Sequence, residues 1–375
     1  MCRLLKFTHP FELWLCLHAI LLTVFRYSLV RPPMESIQNS PLRSFTVLEI
    51  LDRTFRIYRD NFWRYAGLVA VVTVPLSVFN LIASQTYLSG LQNRDLSFAQ
   101  QQTAFTTYSL VVILLAIIIA VVQAVFVNGT LTYMASENHL GRSVTIAQAF
   151  REVRGRFLTL FLALLIFYLV IGALAFVSAL TITCLVGILG LGLVIYLGIT
   201  INAFLAPTVV LENIGVMAGI NRGLGLAKAR FWSVFGLAFL IFIIAVVLQL
   251  AFSVLQQLFS QQVVASASSQ GGLVVGTVIE TIISIFIAPI TPIAFTLMYY
   301  DTRVRLEGLD IALAATGKPD ARPWDIISPP AASRLKGKDY ANILILVVGG
   351  FVVVLLLGAT FTALVSSFLP GLPVR

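Results

Sequence analysis

Residues 51–68 read LDRTFRIYRDNFWRYAGL, and their spacing decides how the rest of the chain is read. On a helix, Leu48, Leu51, Phe55, Tyr58 and Phe62 follow one another at intervals of three and four and share one face. Glu49, Asp52, Arg53, Arg56, Arg59 and Asp60 fall on the other, and an uncharged apolar run opens just after Arg64. The pattern predicts an amphipathic helix resting on a membrane surface and feeding a helix that crosses it.

Composition points the same way. Of 375 residues, 59% are hydrophobic and 11% charged, and the mean hydropathy is +0.96, far from soluble averages. Several charge-free runs exceed the roughly 18 residues a crossing helix needs. They lack the alternation of an outer-membrane barrel. The net charge of +9 does not imply nucleic acid, because the basic residues collect in particular loops, as cytoplasmic loops of membrane proteins do. Cys2, Cys16 and Cys184 form no disulfide framework, and His9, His18 and His139 have neither metal nor triad spacing. The expectation is therefore no metal, no cofactor, no catalytic residues and no enzyme.

Residues 1–33 admit three readings. Phe11–Phe25 is apolar but short, interrupted by Glu12 and His18, with no small-x-small cleavage pattern before Arg26. It is a weak extra span, an uncleaved signal-like segment, or upstream sequence not normally translated; the third is expected, with Met34 as the start. Crossing helices are predicted at about Tyr65–Ala83, Ser109–Tyr133, Phe157–Ala179, Leu185–Ala206, Phe231–Leu255, Val274–Tyr299 and Ala341–Phe368. The apolar face recurs. Ile146, Phe150, Val153 and Phe157 lie 95 positions beyond Leu51, Phe55, Tyr58 and Phe62. Met217, Ile220, Leu224, Ala227 and Phe231 lie 169 beyond Leu48, Leu51, Phe55, Tyr58 and Phe62. Arg222 and Lys228 keep the same offset from Arg53 and Arg59. Three matches in phase predict an all-α integral membrane domain over 34–310. It holds six core transmembrane helices as three repeats of amphipathic interfacial helix plus helical hairpin, about 45–133, 143–207 and 216–300. A cytoplasmic loop, 311–340, and an additional C-terminal transmembrane helix and tail, 341–375, follow.

Lysine and arginine give the expected orientation. Arg26, Arg31, Arg43, Arg53, Arg56, Arg59 and Arg64 precede the first span; Arg142, Arg151, Arg154 and Arg156 follow the second. Arg222, Lys228 and Arg230 follow the fourth, and Arg303, Arg305, Lys318, Arg322, Arg334, Lys336 and Lys338 follow the sixth. The intervening loops hold only Arg94, and Arg375 ends the tail. The basic loops then face the cytoplasm and the C-terminus lies outside. In a bacterial cytoplasmic membrane the anionic lipids attract such arginines by about 1 kcal/mol each.

The motif Ile50-Leu51-Asp52-Arg53-Thr54-Phe55-Arg56-Ile57-Tyr58-Arg59-Asp60-Asn61-Phe62 resembles the entry motif of the glycerophosphoryl diester phosphodiesterase membrane domain family of prokaryotic polytopic proteins. Ala206-Pro207-Thr208-Val209-Val210-Leu211-Glu212-Asn213 with Arg222…Phe231-Trp232, and Tyr299-Tyr300-Asp301-Thr302-Arg303-Val304-Arg305-Leu306-Glu307-Gly308-Leu309-Asp310, extend the resemblance over about 45–310. It implies a six-span membrane domain without chemistry of its own. The family's hydrolytic partner domain is a barrel of about 250 residues, for which this chain has no room, so its activity is not carried over.

Two groups of candidate site residues follow. Arg53, Arg56, Arg59, Arg151, Arg154, Arg222, Lys228, Arg303 and Arg305 are candidates for holding anionic lipid headgroups or an acidic cytoplasmic protein partner. For the last two there is a structural alternative, since Asp301–Arg305 and Arg303–Glu307 have i,i+4 spacing on a solvated helical extension that Gly308 would end. The second group is intramembrane. Glu280 lies about 10 Å from the centre of its span at 1.5 Å per residue, and an acid at that depth is a functional candidate. With Ser284 and Thr291 on its face, and Pro289 and Pro292 breaking the helix, it outlines a polar path for a small transporter or lipid translocase. The structural alternative is a protonated Glu280 bonded to Gln123, Asn202 or Gln249. Gly187-x-x-Gly190-x-Gly192 is read as helix packing, not a nucleotide loop.

Overall fold

The computed structural model describes residues 43–91, 121–181, 185–264, 269–317, 321–326 and 334–368, and the helices below belong to the unit Ser44–Arg375. The expectations for residues 1–33 and for most of the second span lie outside the described residues. The described elements are helices, with no strand among them. In order they are α1 (Val47–Asp60), α2 (Phe62–Leu91), α3 (121–139), α4 (Ile146–Val153), α5 (Phe157–Leu180), α6 (Leu185–Glu212), α7 (Val216–Ala229), α8 (Phe231–Val264), α9 (Ser269–Ile287), α10 (Ile290–Glu307), α11 (Leu309–Ala315) and α12 (Gly337–Phe368).

Local chemistry sets these boundaries. Thr46 caps α1 and exchanges hydrogen bonds with Glu49, and Thr145 does the same for α4 with Gln148. Asn61 and Arg230 each interrupt the helix for a single residue, so that α1 and α7 lead directly into α2 and α8. Five helical stretches are long and apolar enough to cross a membrane: Phe62–Ile82, Ile146–Leu180, Val186–Glu212, Phe231–Ser253 and Gly276–Glu307. They match the first, third, fourth, fifth and sixth predicted spans. Leu158, Leu169, Phe239, Phe242 and Leu250 stand exposed on them, as helices apolar on all sides do in lipid.

The core is built from residues of α2, α3, α6 and α10, with α1 and α7 packed on α10 and α6. Tyr65, Leu131, Met134, Phe204, Leu205, Tyr299 and Tyr300 are fully buried there. Glycines bring the helices close. A Cβ on Gly219 of α7 would stand 2.6 Å from Val209 Cγ2 of α6. One on Gly192 would strike Val347 of α12, and one on Gly190 would strike Ser178 of α5. The glycine-rich run of α6 is thus a packing surface.

Several predicted boundaries need correction. Helices α2 and α8 run beyond the expected ends at Ala83 and Leu255, and α6 continues through Pro207 to Glu212. The stretch 311–340 is only partly loop. Gly308 adopts φ +61 and turns the chain, after which Leu309 and Leu313 bury one side of α11. A 3-10 turn, Pro323–Asp325, follows, and α12 begins at Gly337, ahead of residue 341. Finally, α7 is two-sided: Gly219, Arg222, Gly223, Leu224, Gly225, Leu226 and Ala227 are buried, while Met217, Ala218, Asn221 and Ala229 are exposed.

Candidate functional site

Helix α1 carries three strips, about 120° apart at roughly 100° per residue. Ile50, Thr54 and Ile57 are buried in the protein, against α10 among others. The strip expected to be the apolar face is only partly covered, with Leu48 68% and Phe55 39% exposed and Trp63 beyond them 84% exposed. The sequence reading named this strip as the apolar face and left out Ile50, Thr54 and Ile57, the strip that meets protein. The third strip is charged. Arg56 pairs with Asp52 at 3.1 Å and Arg59 with Asp60 at 3.5 Å, both at exposed positions, where such pairs contribute little. Arg53 is half-buried with its guanidinium 5.1 Å from the Phe45 ring. On α4 and the turn after it, Arg151 and Arg154 are exposed, while Phe150 stacks on Phe126.

Arg222, Arg303 and Arg305 are placed differently. Arg303 is 1% exposed and Arg222 5%, so neither is available to a lipid phosphate. Arg222 holds Glu212 at 3.0 Å and Glu307 at 2.6 Å. Arg303 holds Glu307 at 2.8 Å and accepts no exposure to water, its Nη1 donating to Tyr299 Oη, which in turn donates to Glu212 at 2.8 Å. Burial by itself lowers the Arg222 pKa, but the Glu307 and Glu212 carboxylates more than reverse this and raise it. Both i,i+4 pairs form; Arg303–Glu307 is interior, whereas Arg305 is exposed and reaches in to a buried Asp301. Asp301 is fully buried and accepts from Arg305 at 3.0 Å, from the Phe45 N–H at 2.7 Å, and from Arg230. Arg305 also donates to the Phe45 carbonyl at 2.9 Å. This network ties the ends of α6, α7 and α10 together and fixes the entry to α1. Lys228 lies at the edge, donating to the Arg334 carbonyl.

The intramembrane candidates divide between two cavities that share no lining residue. Glu280 and Ser284 line one of about 380 Å³, with Thr277 and Thr281 of α9, Thr73, Ser77 and Asn80 of α2, and Gln123 of α3. Thr291 and Pro292 line a much smaller one, about 40 Å³, with Asn128, Thr132, Asn202 and Pro207. Glu280 and Ser284 thus lie on one cavity and Thr291 and Pro292 on another, with the turn at Pro289 between α9 and α10. The proposed amide partners are engaged elsewhere or lie apart. Gln123 donates to Thr73 at 3.3 Å, Asn202 lines the small cavity, and Glu280 has no hydrogen bond or ion pair among the described residues. What the sequence reading missed was the facing stripe Thr73, Ser77, Asn80 on α2, legible at i, i+4, i+7 in an otherwise apolar helix. It also missed Glu212 as the shared acceptor of two arginines, which lies too far along the chain for any spacing rule.

His139 is a further buried group outside the spans. Its ring lies between Phe45, 6.1 Å away, and Tyr300, 5.1 Å away, and neither nitrogen has a hydrogen-bond partner among the described residues. Burial, helped by the charge of Arg53, pushes its pKa down to about 3. No family model, curated protein or solved structure matches the chain. Among the described residues no cluster of His, Cys, Asp or Glu is placed to hold a metal ion.

Two stability measurements check these placements. Arg303→Ala leaves the buried Glu212 and Glu307 with Arg222 as their one remaining cation and is expected to cost about 3–5 kcal/mol, read as a lower melting temperature in detergent. Arg56→Ala, at an exposed pair, should change it by less than about 0.5 kcal/mol. For His139 the folded pKa lies below the unfolded one, so below pH 6.5 the unfolded chain binds a proton that the folded chain refuses. Stability is complete above that pH and falls by up to about 1.4 kcal/mol per unit as the pH drops from 6.5 toward 3. Melting curves between pH 7.5 and 5 should show this slope, and His139→Phe should flatten it.

Proposed function

We propose that the chain is a non-enzymatic, lipid-interacting protein of a bacterial cytoplasmic membrane. In this reading three repeats, each an interfacial helix and a helical hairpin, make six core crossings, and α12 adds a seventh. The basic ends face the cytoplasm, and their exposed arginines hold anionic headgroups. One observation carries the proposal: α1 has a protein-facing strip, an exposed apolar strip with Leu48 and Phe55, and a charged strip, and Trp63 stands exposed at the start of α2. A helix bounded by water on two sides gains nothing from exposing Leu48, Phe55 and Trp63, whereas one set in the headgroup layer buries them in lipid. The resemblance of 45–310 to the phosphodiesterase membrane domain family, which implies a domain without chemistry of its own, supports the same reading. With Arg222 and Arg303 withdrawn into the protein, the lipid-facing set is Arg53, Arg56 and Arg59, with Arg151 and Arg154.

The cavity around Glu280 favours a second reading, a small transporter or lipid translocase. Polar side chains are costly within a membrane, and here they converge from α2, α3 and α9 on an acid without a cation.

The two readings respond to different variants. Replacing Arg53, Arg56 and Arg59 with Gln should lower the ratio of anionic to zwitterionic lipid copurifying with the protein several-fold, given about 1 kcal/mol per arginine; an unchanged ratio by lipid mass spectrometry removes the first reading. For the second, proteoliposomes loaded with a pH-sensitive dye should dissipate an imposed pH gradient faster with the native chain than with Glu280→Gln. Equal decay removes proton coupling through that acid.

A further inference from the structure

Lys228 near the end of α7 and Lys338 at the start of α12 flank a cavity of about 470 Å³. Arg230, Trp232, Ser233 and Asn342 line it as well. Phe231 begins a candidate crossing helix, so the cavity opens at the boundary between the apolar span and the basic end of the molecule. Trp232 is half exposed there, the depth at which indole rings collect in membranes.

The charges in this cavity are not balanced. Its one acid, Asp339, is buried and already engaged, accepting from the Tyr196 hydroxyl at 2.5 Å and the Lys336 N–H at 2.7 Å. Arg230 spends its charge on Asp301 and reaches Ser233 Oγ at 3.2 Å. Lys228 donates to a neutral carbonyl, and Lys338 is exposed with no ion pair among the described residues. Burial, with Lys336 nearby and Asp339 opposing, holds the Lys228 pKa below that of a free lysine. Lys228 and Lys338 line the pocket against the single carboxylate of Asp339, so it keeps a net positive charge, and the first turn of α8, which starts at its wall, contains no acid. An anion with several acceptor oxygens would relieve this arrangement, and a carboxylate would use only part of it.

We propose that the cavity binds a phosphate ester, supplied by the headgroup of an anionic phospholipid. Its oxygens accept from Lys228, Lys338 and the Asn342 amide, the Ser233 hydroxyl serves the glycerol, and Trp232 lies along the start of the acyl chains. The proposal rests on the lipid-interacting reading and sharpens it. The arginines of α1 attract many headgroups weakly, whereas this cavity selects one molecule.

Native mass spectrometry of the detergent-purified full chain, titrated with phosphatidylglycerol or phosphatidylcholine, tests it. The native protein should retain one phosphatidylglycerol in preference to phosphatidylcholine. Lys228→Gln with Lys338→Gln should weaken that binding about thirtyfold, at the usual worth of two surface lysines, and Lys228→Arg with Lys338→Arg should restore it. Both positions tolerate polar substitution at the surface, and an unchanged melting temperature identifies a folded variant. Equal phosphatidylglycerol affinity in the native protein and the Gln pair overturns the proposal. Displacement of the lipid by a large excess of inorganic phosphate overturns the lipid as source and assigns the site to a soluble phosphate. The Arg56→Gln/Arg59→Gln variant separates this from the broader reading. Loss of one tight lipid in the lysine variant alone supports the cavity, and a change in bulk anionic enrichment in the arginine variant alone supports α1 and overturns the cavity.

Discussion

The fold depends on neutralising charge where water is excluded. Glu212, Glu307, Arg222 and Arg303 come from α6, α10, α7 and α10, and none is substantially exposed. Each carboxylate meets both arginines, so the set is balanced only when all three helices are in register. Such networks add little net stability over an apolar replacement, while an incomplete one is strongly destabilising. The consequence is specificity. A slip of α7 by one residue along α6 would leave Arg222 buried without Glu212, and Gly219 would no longer meet Val209.

How much of this was legible follows from the range of each interaction. Helix identity and the apolar runs were readable because they depend on local composition, and five predicted crossings recur as helices long and apolar enough to cross. The pairs Asp301–Arg305 and Arg303–Glu307 were readable because they lie one turn apart. Their burial was not. An i,i+4 pair looks the same on a solvated extension as inside a core, and what distinguishes them here is Glu212, nearly a hundred residues away. The three strips of α1 show a related ambiguity. Ile50 and Ile57 are as apolar as Leu48 and Phe55, and only the arrival of α10 decides which strip meets protein.

The cationic residues consequently fall into two populations that composition cannot separate. Arg222, Arg303 and, for the most part, Arg230 are spent on internal acids. Arg56, Arg59, Arg151, Arg154 and Lys338 face outward, either unpaired among the described residues or in exposed pairs of little strength. The positive-inside argument counts both populations alike. It overstates the attraction available to lipid.

The exposed strip of α1 and the polar cavity of α9 are also less separate than their positions in the sequence suggest. Tyr58 of α1 donates to the Phe286 carbonyl at 3.0 Å, and Phe62 stacks on the Phe286 ring at 5.5 Å. Phe286 lies at the end of α9, just before the turn at Pro289 and less than two turns beyond Glu280. A break in a crossing helix leaves carbonyls that need partners, and here α1 supplies one from outside the span. The lipid-interacting reading and the Glu280 reading therefore share a physical element. On both readings the same contacts matter, because Tyr58 and Phe62 anchor the end of the helix that carries Glu280.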